Sequence, residues 1–184
     1  MKQSIVFVAG SPSDSSRSAF VAHIVASETQ QAGWHPVFFS LRNFDPASVL
    51  FGRTAAPDVV RFIDATKAAA AIVLAAPVYK GTYTGVLKAI VDLIPPDALV
   101  EKPALGISTA KLATHAIGVD QAYRALFGFF RARGQDTLFV SDDELPFAAG
   151  AGVLSVDAER RVRKAAQALV QSIGEAAAKA APHP

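Results

Sequence analysis

The sequence contains no cysteine among its 184 residues. This absence excludes a disulfide-stapled fold, a cysteine-ligated zinc or iron–sulfur site and a catalytic thiol. Any redox chemistry must therefore come from a bound cofactor. Charge is also scarce, since charged residues make up 18% of the chain and the formal net charge is +2. We expect no nucleic-acid binding, because that function needs basic residues concentrated on one face.

Long hydrophobic runs are absent as well. The most apolar stretch extends from Ala68 to Tyr79, which is far shorter than the roughly 20 residues needed to span a bilayer. The first three residues lead directly into a strand-like run and lack the apolar core of a secretory signal. We therefore expect no membrane partner and a cytoplasmic location.

Hydrophobic residues, by contrast, are abundant, at 51% of the chain. A chain of this length and composition can build its own core as one domain. We predict a single domain over residues 1–175, followed by a frayed, alanine-rich tail over residues 176–184. The high apolar content also suggests that copies of the chain associate.

Short apolar runs alternate with helical patterns along the sequence. Five runs have the continuous apolar character of strands buried on both faces, and they lie at 5–9, 37–39, 71–75, 104–107 and 137–140. Amphipathic helical patterns lie between and after them, around residues 20–27, 59–67, 86–94, 119–130 and 162–173. This alternation predicts an α/β fold with a five-stranded parallel sheet and helices on both faces. The common order for five such strands is 2-1-3-4-5.

The fourth predicted helix carries more apolar surface than one packed side requires. Phe127, Phe129 and Phe130 point in different directions around it. A helix that is apolar nearly all round is usually buried. Two interpretations follow, a core helix beneath a loop and a subunit interface, and we favour the interface slightly.

The loop after the first strand suits a phosphate. In this strand order, ligands bind where strands 1 and 3 diverge. Residues 10–18 carry five serines, one arginine and the start of a helix, and hydroxyls, helix N-terminal amides and a guanidinium together bind phosphate. The loop lacks the Gly-x-Gly-x-x-Gly dinucleotide fingerprint and the Gly-Lys-Ser/Thr of a phosphate-binding NTPase loop. A phosphomonoester fits better, and a plain polar turn with a capping serine is the alternative.

The loop after the third strand suits a flat ring. Residues 76–85 combine Pro77 with glycines and the aromatic side chains of Tyr79 and Tyr83. A heteroaromatic ring needs apolar contact on its face and backbone hydrogen bonds at its edge. The alternative is an ordinary connection in which Thr84 caps the next helix. Phosphate and ring sites side by side fit flavin mononucleotide.

At these residues the sequence resembles the flavodoxin-like NAD(P)H-dependent FMN reductases, and most closely the branch that supplies reduced flavin to alkanesulfonate monooxygenases. The resemblance extends from about residue 5 to residue 145. The matching segments are Gly10-Ser11-Pro12, Ser16-Arg17-Ser18, Ala76-Pro77-Val78-Tyr79-Lys80, Tyr83-x-Gly85-x-Leu87-Lys88, Asp92-Leu93, His115, Val119-Asp120 and Asp142-Asp143.

The resemblance implies a flavodoxin-like three-layer sandwich that binds FMN and NADPH or NADH. It implies that the first loop holds the FMN phosphate, that the second holds the isoalloxazine, and that the loop after the fourth strand approaches the flavin. The cofactor-binding residues expected on this basis are Ser11, Ser13, Ser16, Arg17, Ser18, Pro77, Val78, Tyr79, Lys80, Tyr83, Thr109, Ala110 and Lys111. No side chain needs to act as acid, base or nucleophile, because the hydride chemistry belongs to the cofactor.

The sequence departs from this family in two places. Thr109-Ala110-Lys111-Leu112 replaces the Thr-Gly-Gly-Thr that the family often has, so two side chains could crowd the flavin. The sulfonate branch also carries an inserted aromatic that forms a π-bulge at its subunit interface, and Gln121 stands at that position here. Whether the flavin is exchanged or retained therefore stays open.

Three functions are compatible with an FMN site in a fold of this kind. The first is a reductase that supplies reduced flavin to a partner monooxygenase and forms a homodimer or homotetramer. The second is a quinone or azo reductase with retained FMN. The third, a flavodoxin-like electron carrier, is disfavoured by the net charge of +2, because such carriers are typically strongly acidic.

Overall fold

The computed structural model describes residues 3–180. A parallel sheet forms its centre. Its five main strands, in chain order, are β1 (Ser4–Ala9), β2 (His35–Ser40), β3 (Ala71–Tyr79), β5 (Pro103–Ala110) and β7 (Leu138–Ser141). They lie in the order β2-β1-β3-β5-β7 and all run parallel. The predicted order 2-1-3-4-5 is confirmed.

Two short strands extend this sheet. β4 (Thr82–Tyr83) pairs antiparallel with the end of β3, and β6 (Arg133–Gly134) pairs with the start of β5. A separate hairpin consists of β8 (Phe147–Ala148) and β9 (Ala151–Gly152). The sequence patterns predicted neither β4 nor this hairpin, because strands of two residues are too short to show a period.

Helices cover both faces of the sheet, as predicted. The helices are α1 (Arg17–Gln31), α2 (Pro46–Leu50), α3 (Pro57–Ala68), α4 (Gly85–Val91), α5 (His115–Phe129) and α6 (Val156–Ala180). α1 and α6 share one core with one face of the sheet, and α3, α4 and α5 share a second core with the other face. The flavodoxin-like three-layer arrangement is confirmed. Short 3₁₀ turns lie at Leu41–Asn43 and Asp142–Glu144.

The two cores follow from the alternation of side chains along each strand. In β1, Ile5 and Phe7 belong to the core beneath α1 and α6. Val6 and Val8 belong to the core beneath α3, α4 and α5. Both faces of β1 are therefore dry, which explains why its sequence is apolar without interruption.

The fourth predicted helix, α5, is buried on one side only. Phe127 and Phe130 are buried, whereas Ile117 and Phe129 are 70% and 67% exposed. α5 is α-helical from end to end, and Gln121 lies on its exposed side. The sequence predicted a helix that is apolar nearly all round. In the structure, α5 buries one side and also carries large apolar side chains on its exposed side.

Tyr123 fastens α5 to the sheet. Its side chain is fully buried, and its hydroxyl lies 3.1 Å from the Leu74 carbonyl and 3.2 Å from the Ile107 carbonyl. Its ring lies directly against Gly106 in β5, where a Cβ atom would come within 2.5 Å of the ring. Burial raises the pKa of Tyr123, so the hydroxyl stays protonated and donates.

The C-terminal helix continues further than the predicted domain boundary. α6 ends at Ala180, so residues 176–180 of the predicted tail are helical, and residues 181–184 lie outside the described residues. None of the helices within residues 3–180 combines the length and the apolar character that crossing a membrane requires.

Candidate functional site

A cavity of about 430 Å³ opens at the carboxyl edge of the sheet, between the ends of β1, β3 and β5. This is the place where the strand order predicts a ligand. Its volume falls in the range of sites for small molecules and cofactors. Three chain segments form most of its walls: the loop before α1 with the first residue of that helix, the end of β3 and the end of β5.

The first wall is the serine-rich loop. It contributes Ser11, Ser13, Ser15, Ser16 and Arg17 to the cavity. The Ser13 N–H donates to the Ser11 hydroxyl at 3.2 Å, and the Ser16 hydroxyl caps α1 by accepting from the Ala19 N–H at 3.4 Å. These bonds shape the loop so that hydroxyls and the start of a 15-residue helix border one space. Such a donor set suits an anion.

Ser18 stands behind this wall. Its side chain is 1% exposed, and its hydroxyl lies 3.0 Å from the hydroxyl of Ser16. Ser18 does not line the cavity. It therefore supports the capping serine from beneath, which differs from the direct contact that the resemblance implied.

Gly10 brings the loop close to its neighbours. Its N–H donates to the Ala75 carbonyl at 2.7 Å, and its carbonyl accepts from the Thr84 hydroxyl. A Cβ atom here would lie 2.4 Å from Cβ of Leu87 on α4. Only glycine lets the end of β1 lie this close to α4.

Arg17, the first residue of α1, is held by a segment far along the chain. Its Nε donates to the Leu145 carbonyl at 3.2 Å and lies 3.7 Å from Oδ1 of Asp142. Its guanidinium carbon lies 5.6 Å from the centre of the Phe147 ring. Within residues 3–180 its two terminal nitrogens donate no hydrogen bond, so they are available to a ligand in the cavity.

The second wall is the end of β3. The sequence suggested that this strand stops before Pro77, but β3 continues to Tyr79 and turns back into β4. The turn residues Lys80 and Gly81 have φ angles of 54° and 90°, a two-residue hairpin turn of the kind that favours glycine. Pro77, Val78 and Tyr79 line the cavity, and Tyr79 is 50% exposed. This wall offers an apolar and aromatic surface.

Lys80 and Tyr83 do not line the cavity. Lys80 occupies the exposed turn. Tyr83 packs against Tyr123, with ring centres 5.2 Å apart, and burial raises its pKa. Their expected contact with a flavin therefore has no support from the position of their side chains.

The third wall is the end of β5 and the residues that follow it. Thr109 and Ala110 are buried, and Lys111 is exposed beside them. All three line the cavity, which remains open despite the side chains of Ala110 and Lys111. His115 also lines it, and its Nδ1 is buried without a hydrogen-bond partner in the described part of the chain. A buried polar atom without a partner is the kind of group that a ligand satisfies.

Three cavity residues were absent from the expected binding set: Ser15, His115 and Asp142. Ser15 belongs to the same serine-rich loop, so the loop pattern alone could have included it. Asp142 directly follows the fifth strand, at the edge of the sheet where ligands bind. Its approach to Arg17 depends on tertiary structure and has no local signal.

The segment after β7 is firmly anchored. Glu144 accepts from the Ser141 N–H at 3.0 Å, and its carboxylate oxygens lie 2.8 Å and 2.9 Å from Nη2 of Arg161 on α6. Burial opposes ionisation of Glu144, but these donors outweigh it and hold its pKa below the usual value. The Leu145 carbonyl and the Phe147 ring, which contact Arg17, follow directly after this anchored segment.

Chemically, the cavity has two different ends. Arg17 and the serine hydroxyls supply charge and hydrogen bonds for a phosphate, while Pro77, Val78 and Tyr79 supply apolar contact for a ring. The residues present therefore fit a phosphorylated heteroaromatic molecule such as FMN.

Comparisons with known proteins point the same way. Residues 3–145 match a family described as NADPH-dependent FMN reductase. An FMN reductase (NADPH) from Pseudomonas putida (strain KT2440) is 32% identical over 149 residues, covering 79% of this chain and 75% of that protein. The NADH-dependent FMN reductase SfnF from Pseudomonas fluorescens (strain Pf0-1) is 41% identical over 70 residues, covering 38% of this chain and 37% of that protein. The crystal structure of the apo form of the NADH:FMN oxidoreductase EMOB superposes with a TM-score of 0.76 at 25% identity, covering 100% of this chain and 92% of that one.

Proposed function

The chain belongs to the NADPH-dependent FMN reductase family, and we propose on this premise that it is an NAD(P)H-dependent FMN reductase. FMN supplies the chemistry when bound, since its ring accepts a hydride from a reduced nicotinamide. The protein supplies binding, orientation and electrostatics. One observation supports the proposal: the serine-rich loop and the apolar end of β3 line the same cavity.

The residues that line the cavity divide the work between its two ends. We assign the phosphate to Ser11, Ser13, Ser16 and Arg17, and the ring to Pro77, Val78 and Tyr79. Thr109, Ala110 and Lys111 border the ring from the end of β5. Ser18 acts indirectly by supporting Ser16.

We further propose that the reduced flavin passes to a partner monooxygenase. The resemblance of the sequence to the branch that supplies reduced flavin to alkanesulfonate monooxygenases supports this role, and FMN reductases, SfnF among them, are found among the relatives. The names of these relatives include both NADPH and NADH as reductants, so both are candidates here.

The exposed Ile117 and Phe129 on α5 support assembly into a homodimer or homotetramer. A cytoplasmic location stays a prediction from the sequence.

Oxidation of NADPH and NADH by the purified protein, with and without added FMN, tests the proposal. The visible spectrum of the protein as isolated is recorded alongside. We expect turnover that depends on added FMN, together with little flavin colour in the isolated protein. A yellow protein that needs no added FMN would support retained flavin and a quinone-type acceptor. A protein that neither binds FMN nor oxidises either nucleotide would refute the reductase assignment.

A further inference from the structure

Asp142 is the only carboxylate among the described residues that line the cavity. It stands at the phosphate end, with Oδ1 3.7 Å from Nε of Arg17. About a third of each of the two side chains is exposed, so both border the space that a phosphate would enter. A negative charge at the mouth of an anion site opposes the anion that the site receives.

The distance determines what this carboxylate does. At 3.7 Å it makes no hydrogen bond with the guanidinium, and the Nε proton goes instead to the Leu145 carbonyl at 3.2 Å. The Phe147 ring, 5.6 Å from the guanidinium carbon, packs against the same side chain. Arg17 would therefore keep its position without Asp142. What Asp142 contributes to the site is charge.

From this geometry we propose that Asp142 is an affinity-setting residue that weakens binding of the FMN phosphate. It neutralises part of the Arg17 charge and repels the phosphate dianion, so the flavin dissociates more readily. The proposal rests on the function assigned above. It gives a physical reason why this protein would use FMN as an exchangeable substrate rather than keep it as a bound group.

The test compares Asp142→Asn with Asp143→Asn. Asparagine keeps the shape of the side chain and removes the charge. Asp143 is the next residue, is exposed and does not line the cavity, so its substitution makes the same change in net charge without touching the site. FMN and riboflavin, which lacks the phosphate, are titrated into each protein by quenching of flavin fluorescence at low and at moderate salt.

We expect Asp142→Asn to bind FMN about three- to tenfold more tightly at low salt and to release it more slowly. The gain should shrink as salt rises, because exposed charges are screened. Riboflavin affinity should stay within about twofold, because riboflavin carries no phosphate, and Asp143→Asn should have a much smaller effect on FMN affinity, because its carboxylate is exposed and outside the cavity. Thermal unfolding of both variants checks that the fold is kept.

Several results would overturn the proposal. Equal FMN affinity in the two variants would mean that local charge at position 142 is irrelevant. Weaker FMN binding in Asp142→Asn would show that the carboxylate positions Arg17 instead. An equal gain for riboflavin would place the effect on the ring. A wild-type protein that binds no FMN at all would refute the proposed function and this inference with it.

Discussion

Substituting Gly106 by alanine tests how α5 is attached to the sheet that carries the cavity. An ideal Cβ at this position would lie 2.5 Å from Cδ2 and 2.6 Å from Cγ of Tyr123. Carbon atoms in good contact are about 3.5 Å apart or more. The tyrosine ring would therefore have to move by about 1 Å to accept one methyl group.

The ring has little room to move. Tyr123 is fully buried between Tyr83 and Phe127, and its hydroxyl lies within hydrogen-bond distance of two strand carbonyls. Overfilling a packed core costs about 1–3 kcal/mol, and a lost buried hydrogen bond costs about 1 kcal/mol more. We expect Gly106→Ala to lower the free energy of unfolding by about 2–4 kcal/mol.

Urea unfolding followed by circular dichroism measures this change. Gly128→Ala on α5 is the matched control, because a Cβ there meets nothing within 4 Å and alanine favours a helix by up to about 1 kcal/mol. In a Tyr123→Leu background, Gly106→Ala should cost far less, since the ring that it strikes is gone. A Gly106→Ala protein within about 0.5 kcal/mol of wild type would refute the reasoning, as would equal costs in the two backgrounds.

Three further predictions concern the cavity and the segment after β7. Arg17→Ala should weaken FMN binding by about 10- to 100-fold in fluorescence titrations, because a charge-assisted hydrogen bond to phosphate is lost. Riboflavin affinity should not change, and equal losses for both flavins would contradict the assignment of Arg17 to the phosphate. Tyr79→Ala should instead weaken FMN and riboflavin alike, by about three- to tenfold, because stacking on the ring is lost; a loss confined to FMN would contradict it. The pKa of Glu144 is lower in the folded protein than in the unfolded chain. Its contribution to stability is therefore complete above the pKa of an unfolded glutamate, about 4.3. This contribution disappears as the pH falls through the lower pKa of the folded state. Urea midpoints measured from pH 6 down to about pH 3 should therefore fall less steeply for Glu144→Gln than for wild type, and parallel curves would exclude Glu144 as a source of acid sensitivity.

Much of the fold could be predicted because the three central strands, β1, β3 and β5, are buried on both faces. β1 and β3 are continuous apolar runs for this reason, and the order of the strands follows from a common arrangement. The two small hairpins could not be predicted from periodicity. Their turns do carry a local signal, however, since Lys80-Gly81 and Ala149-Gly150 each place glycine second in a turn with positive φ.

The site was predictable where function depends on residues adjacent in sequence. The serine-rich loop and Pro77–Tyr79 each border the cavity from one short stretch of sequence. Lys80 belongs to the same segment, but the chain reverses there and takes its side chain out of the lining. Asp142 and Arg17 meet only because β7 ends beside the start of α1, and that contact has no counterpart in local sequence.

The hairpin of β8 and β9 determines how long a segment must be when it is exchanged between relatives. The segment that matches the family ends at residue 145, but Phe147, which packs against both Arg17 and Phe20, lies beyond it. A chimera that exchanged only the matched segment would pair the phosphate loop with a foreign hairpin. Recombination between relatives should therefore place its junction after Gly152, so that the arginine and its support are inherited together.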